Sequence, residues 1–285
     1  MANETQIYVL PVVAGEGDFH YGSYNLSLDY KVNKDLHVYG AVRDAYKAGG
    51  VNGSVPVDSD FHTFPPEKLE DIELGFKSEF KIGDVAARAN LAVYRGQYRN
   101  IQRSAMEVVD GAVLPVTRSA AEGRIQGAEF TGALVPVQGL TFSGSFSYTD
   151  AKYTQAADAD IGAILAGASF PYTPRTKYTL GVSWEQAMQA MGTLALSANY
   201  AHQSSFSTAQ DNQARVQSLP GYGTLSLRAG LHQIGGHPVD VNVFVANATN
   251  RTYVSGLADF YNAFGAVAYT YGEPRTFGLQ GRYSF

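Results

Sequence analysis

The sequence predicts an all-β fold: about eleven antiparallel transmembrane β-barrel strands, joined by short turns at one end and long loops at the other. Three observations predict it. Apolar and polar residues alternate with period two through segment after segment, as they do in a strand with two unlike faces. The connections alternate short and long. Charged residues keep to one face of the strand cores, while aromatic residues gather at the strand ends, where an apolar ring with a polar edge suits a membrane interface.

The strands follow in order. Residues 1–21 read as loop, with Ile7–Leu10 a hint of strand before Pro11. Tyr24, Leu26, Leu28, Tyr30 and Val32 begin the pattern, and Asn33-Lys34-Asp35 turns the chain. Leu36 to Val42 return, and a polar stretch runs from Lys47 to Pro65. Ile72, Leu74, Phe76, Ser78 and Phe80 descend to a turn at Lys81–Asp84, and Val85 to Val93 rise opposite Arg88, Asn90 and Tyr94. A long segment is expected from about Gln102 to Gly123. Ala128, Phe130, Gly132 and Leu134 descend, and after Val137-Gln138-Gly139 a strand rises through Leu140, Phe142, Phe146 and Tyr148 against a row of Ser and Thr.

Asp150 to Tyr172 is expected to be the third long segment, with a possible short helix at its Ala/Ile/Leu centre. Tyr178 to Trp184 descend and Leu194 to Tyr200 rise, followed by a Gln/Ser-rich loop over 203–218. Leu225 to Leu231 descend, Gly235-Gly236 turns, Val239 to Val245 rise, and a last loop spans about Asn250 to Glu273. In the final strand Phe277, Leu279, Gly281, Tyr283 and Phe285 share one face, and Thr276, Gly278, Gln280, Arg282 and Ser284 the other.

Composition agrees with this reading. Of 285 residues, 45% are hydrophobic and only 16% charged, against roughly 25% charged in soluble domains. Mean hydropathy is −0.15, as expected when lipid-facing and lumen-facing residues cancel. No run approaches the ~18 apolar residues of a transmembrane helix. A net charge of −5 argues against nucleic acid as a partner. Cysteine is absent, which excludes disulfides and thiolate chemistry. The N-terminus lacks the basic and apolar regions of a signal peptide. A chain bound for an outer membrane should carry one, so the expectation is that it was removed or that the chain is the end of something longer.

No catalytic constellation is legible, so the expectation is a non-enzyme without cofactor or metal site. The six histidines, His20, His37, His62, His202, His232 and His237, have no metal-ligand spacing. Asp18/His20 and Asp60/His62 read as solvated loop polars. Glu73 and Glu129 are expected to be wall residues paired with Arg88, Arg228 or Arg282. A ligand site, if present, belongs on the long loops and upper lumen. The best candidates are the aromatics of the last loop: Tyr253, Phe260, Tyr261, Phe264, Tyr269 and Tyr271. They offer area to a bulky ligand; equally, they could pack the loops together or form the outer girdle.

Five segments resemble TonB-dependent outer-membrane receptors. Val38-Tyr-Gly-Ala-Val-Arg-Asp-Ala-Tyr-Lys-Ala-Gly-Gly-Val-Asn52 resembles their Y-x-x-x-x-x-G-Y-K-x-G-G-F-N segment, with Ala45 and Val51 departing from it. Pro66-Glu-Lys-Leu-Glu-Asp-Ile-Glu-Leu-Gly-Phe-Lys-Ser-Glu79 is similar to P-E-x-x-x-x-E-x-G-x-K. Gly127-Ala-Glu-Phe130 matches G-x-E. Val245-Ala-Asn-Ala-Thr-Asn-Arg-Thr-Tyr253 resembles V-x-N-L-x-x-x-x-Y, with Ala248 in place of Leu. Pro274-Arg-Thr-Phe-Gly-Leu-Gln-Gly-Arg-Tyr-Ser-Phe285 resembles the P-R-T-x-x-x-x-x-x-x-F ending.

The resemblance implies a barrel of about 22 strands filled by a plug, of which residues 22–285 would be the C-terminal half and residues 1–21 an extracellular loop remnant. The plug, the energy-coupling TonB box and the first half of the barrel are not in this sequence. The resemblance further implies a place in the bacterial outer membrane and partners in outer-membrane lipid and in the TonB system, reached through the plug. The implied activity is active uptake of a ferric siderophore or similar bulky nutrient. Two other readings stand beside it: a small passive pore or adhesin, and a soluble all-β binding protein.

Overall fold

A computed structural model of the chain describes residues 16–155, 166–209, 216–261 and 265–285. Eleven strands form one antiparallel sheet in simple sequence order. They are β1 (Asn25–Lys31), β2 (Leu36–Lys47), β3 (Glu67–Ile82), β4 (Val85–Val109), β5 (Ala112–Val137) and β6 (Leu140–Gln155). They continue with β7 (Thr176–Ala187), β8 (Thr193–Gln203), β9 (Tyr222–His232), β10 (Val239–Ala246) and β11 (Thr276–Tyr283). Every connection joins neighbours, so each strand finds its backbone partners in the preceding and following strands. Among the described residues β1 and β11 are the edges.

The register carries the two faces across the sheet without a break. Leu74 pairs with Val93, Val93 with Ala128 and Ala128 with Tyr148. Val182 pairs with Ala198, Ala198 with Leu227, Leu227 with Val245 and Val245 with Phe277. These apolar side chains are open to the surroundings: Leu28 is 75% exposed and Leu279 74%. The opposite face runs Glu129–Ser147–Lys177–Gln203 and Asn199–Ser226, then Arg228–Phe244–Gly278. An apolar face this extensive would be insoluble in water, whereas in lipid it costs nothing, and the interior strands pair their backbone groups with both neighbours. Tyr148, Tyr178 and Tyr200 mark the long-loop edge of the apolar face, and Trp184 the short-turn edge.

Apart from Ala41 and Ala87 within the wall, the buried apolar side chains among the described residues lie at the long-loop end. The segment expected as a loop from Gln102 to Gly123 is a correction: β4 and β5 run straight through it and turn only at Asp110-Gly111. Both turn residues have positive φ, 50° and 82°, the condition for a two-residue hairpin turn matched to strand twist. A strand needs about 11 residues to cross the membrane. With 25 residues, β4 stands about 14 residues clear, on the order of 45 Å along the strand. Likewise Asp150 to Gln155 belong to β6, and the expected helix centre at 161–165 falls outside the described residues, as does Ile7–Leu10.

Two small cores brace the tall hairpin. Val55 and Val116 are fully buried with Val109 and Leu114, and Phe61 packs against them. On the other side Tyr153, Ile101 and Ala121 pack with Tyr98 and Phe170. Asn52 fastens the loop of Val55 to the hairpin. Its amide nitrogen donates to the carbonyls of Phe61 (2.7 Å) and Thr117 (2.9 Å), and Thr117 N–H donates back to its oxygen (2.9 Å). The His62 ring donates to the Val55 carbonyl at 3.2 Å and is buried. His62 is therefore a packed loop residue and not a solvated one.

Face, not position along the chain, decides what the wall tolerates. Replacing Ala198 by Arg should weaken folding into bilayers by ~2–4 kcal/mol, while the same change at neighbouring Asn199 should cost a small fraction of that. Denaturant titrations of protein folded into lipid vesicles measure both; equal costs would contradict the face assignment.

Candidate functional site

On the inner face near the long loops, β5 to β9 enclose a cavity of about 600 Å³. Glu129 and Lys177 supply opposite charges, and Ser145, Thr179 and Gln203 supply hydrogen-bonding groups. Tyr222 and Tyr253 close its upper rim, their rings stacked at 4.1 Å and 23°. The polar groups come from the inward positions of successive strands, which is why they converge: each contributes one residue per cross-strand row.

The last loop delivers Tyr253. Asn247 is buried at the end of β10 in a left-handed conformation, φ 48°. Its amide donates to the carbonyls of Arg251 (2.8 Å) and Glu273 (3.1 Å), and Arg251 N–H donates to its oxygen (2.9 Å). One side chain thus clamps both ends of the loop. Tyr253 then lies directly against Gly272; a Cβ there would come within 1.9 Å of the ring. Above the clamp, Val254–Phe260 and Ala266–Tyr271 form a separate two-stranded hairpin. Tyr172 tethers it by donating to the Leu257 carbonyl at 3.0 Å.

Of the expected aromatics whose side chains are described, only Tyr253 lines the cavity. Tyr261, Tyr269 and Tyr271 are exposed on or beside the loop hairpin. Phe260 ends its first strand, and its side chain is not described; Phe264 lies outside the described residues. Tyr222 was not singled out from the sequence, because it opens a strand after a Gln/Ser-rich loop and carries no local signal.

The wall carboxylate Glu73 also differs from expectation. Glu73 accepts from Arg43 (2.8 Å) and from the Tyr39 hydroxyl (2.9 Å), and Arg43 also pairs with Asp71 at 2.7 Å. Arg228 lies over the Phe244 ring and Arg282 faces Asp240 in register; neither reaches Glu73. At the outer rim, Tyr21 donates to Asp44 at 2.6 Å. That hydrogen bond to a carboxylate pushes the Tyr21 phenol up to about 12.

Comparison with known proteins agrees with this geometry. Residues 11–251 match the family model described as TonB dependent receptor-like, beta-barrel. The chain belongs to this family, whose barrels are outer-membrane proteins. Among solved structures it is similar to the ferric yersiniabactin uptake receptor FyuA from Yersinia pestis, with 20% identity and a TM-score of 0.71 over 92% of this chain and 37% of that one. It is also similar to the ferric preacinetobactin receptor BauA from Acinetobacter baumannii, with 24% identity and a TM-score of 0.67 over 91% and 35%. The copper transporter OprC shares the fold at 17% identity and a TM-score of 0.67, over 92% and 39%. The chain therefore spans a little over a third of the length of these structures.

Removing the clamp should loosen the rim without unfolding the wall. Asn247→Ala should cost ~1–3 kcal/mol locally by orphaning buried backbone groups. Hydrogen exchange should rise at the Arg251 amide and stay unchanged at the centre of β10; uniform exchange would contradict a local role.

Proposed function

We propose that the chain forms the C-terminal half of the barrel wall of a receptor that imports a ferric siderophore or a nutrient of similar bulk. In this reading residues 22–285 are barrel and residues 1–21 a piece of an extracellular loop. A plug elsewhere in the receptor would be rearranged by the TonB system to release ligand inward.

The observation that carries the proposal is the inner-face cavity with its stacked Tyr222 and Tyr253. A large ligand with both ring and polar surface is matched by aromatic area at the rim and by charged and hydroxyl groups below it. Strand parity supports the half-barrel reading. Ten antiparallel connections leave β1 and β11 running the same way, so pairing them directly would give a parallel contact. Antiparallel closure requires an odd number of further strands.

The intact receptor carrying Tyr222→Ala and Tyr253→Ala should bind its ferric ligand about tenfold more weakly or worse, since aromatic anchors dominate binding energy. A panel of a ferric tris-catecholate, a ferric hydroxamate and ferric citrate, read by fluorescence quenching, supplies the test. Binding of none of them, or unchanged affinity in the double variant, would overturn the reading. Cells expressing only residues 1–285 should show no iron uptake sensitive to a protonophore; such uptake would mean the chain couples energy unaided.

A further inference from the structure

Tyr172 stands where three long loops meet. It belongs to the loop between β6 and β7. Its N–H donates to the Ser207 carbonyl at 2.7 Å, and its ring lies 5.8 Å from that of buried Phe206. Both partners are in the loop between β8 and β9. Its hydroxyl donates to the Leu257 carbonyl at 3.0 Å, in the hairpin between β10 and β11. Each of these loops borders the inner cavity. The first enters β7 just before Lys177, the second runs from Gln203 to Tyr222, and the third carries Tyr253.

The backbone at this junction is strained. Tyr172 has φ 55°, in the left-handed region where Cβ crowds the following carbonyl. The other six non-glycine residues of positive φ among the described residues are Asn, Asp or Gln. Pro171 and Tyr172 form a turn, and a proline followed by positive φ is a turn that favours glycine in the second place. A bulky residue persists there only when surrounding contacts over-determine it. Here those contacts reach two other loops. The turn is also anchored to the wall. Phe170 N–H donates to the Ala151 carbonyl of β6 at 3.0 Å, and the Phe170 ring lies 4.6 Å from that of Tyr153. Pro171, with its fixed φ, links this anchor to the junction.

The geometry points to Tyr172 as a positioning residue for ligand retention: it ties the loops after β6, β8 and β10 into one unit and so holds Tyr253 at the cavity rim. Leu257 lies in the first strand of the loop hairpin, which starts directly after Tyr253. Val254 pairs with Tyr271, and Gly272 N–H donates to the Tyr253 carbonyl at 2.9 Å. This ladder carries the tether from Leu257 down to the rim. The role in retention rests on the receptor reading above; the tie between loops does not.

Two measurements on the purified intact receptor separate these parts. In hydrogen exchange, Tyr172→Phe should speed the amides of 254–260 and 266–271 at least about threefold, the effect of one lost hydrogen bond. The centres of β6 to β11 should be unchanged. Tyr172→Gly, which suits the left-handed backbone, should expose the same segments further. Parent-like protection in both variants would overturn the tie. The second measurement is the dissociation rate of a ferric tris-catecholate, a ferric hydroxamate and ferric citrate, read by fluorescence. Tyr172→Phe should speed release of a bound complex about threefold and leave its association rate unchanged. In a Tyr253→Ala background the same change should have no effect, because the tether acts through that ring. Equal effects in both backgrounds, or none in the parent, would overturn the positioning role. Binding of none of the three complexes would defeat the receptor reading and the retention role with it, while the exchange result still decides the tie.

Discussion

The bilayer's lack of water is the constraint on which this structure depends. A backbone amide or carbonyl left unpaired in hydrocarbon costs several kcal/mol. Each interior strand is therefore paired on both sides, and connections never skip a neighbour. The same constraint sorts the side chains. One row of the sheet reads Leu74, Val93, Ala128, Tyr148 from strand to strand, and the next reads Glu129, Ser147, Lys177, Gln203. A slip of one residue in any pair would exchange those rows, so lipid enforces register throughout the wall.

Freed from lipid, the long-loop end is built by ordinary packing. Small apolar cores hold β4 and β5 upright, and buried asparagines fasten the loops. Asn52 and Asn247 do the same work at different places: each side-chain amide mimics a backbone unit and ties together segments that no strand ladder joins. Fixing these loops sets where Tyr253 sits, and with it the rim of the inner cavity. The wall provides charged and hydroxyl groups by register alone; the loops provide the aromatic surface.

Much of this was legible in the sequence. All eleven strands of the main sheet follow from alternation, because period two is strong wherever one face meets lipid. The tall hairpin was not legible. Above the membrane both of its faces meet water or loops, and residues such as Ser104, Ala105, Val108 and Val109 lose the alternation. The clue available was Asp110-Gly111 between two β-branched stretches, a hairpin signal that needs no amphipathic pattern. At the site, Tyr253 was legible as part of an aromatic loop and Glu129 as an inward polar. Their convergence with Lys177 and Tyr222 was not, since it depends on how four cross-strand registers add up.

The two-faced wall is tested most directly by labelling. The chain has no cysteine, so single cysteines can be placed at each position from 194 to 202 of β8 and spin-labelled in lipid vesicles. Collision with oxygen, which concentrates in hydrocarbon, should peak at 196, 198 and 200. Collision with a water-soluble nickel chelate should peak at 197, 199 and 201. Two curves of period two in antiphase are the predicted result. Equal nickel accessibility at odd and even positions would mean that both faces meet water, and would contradict a membrane wall.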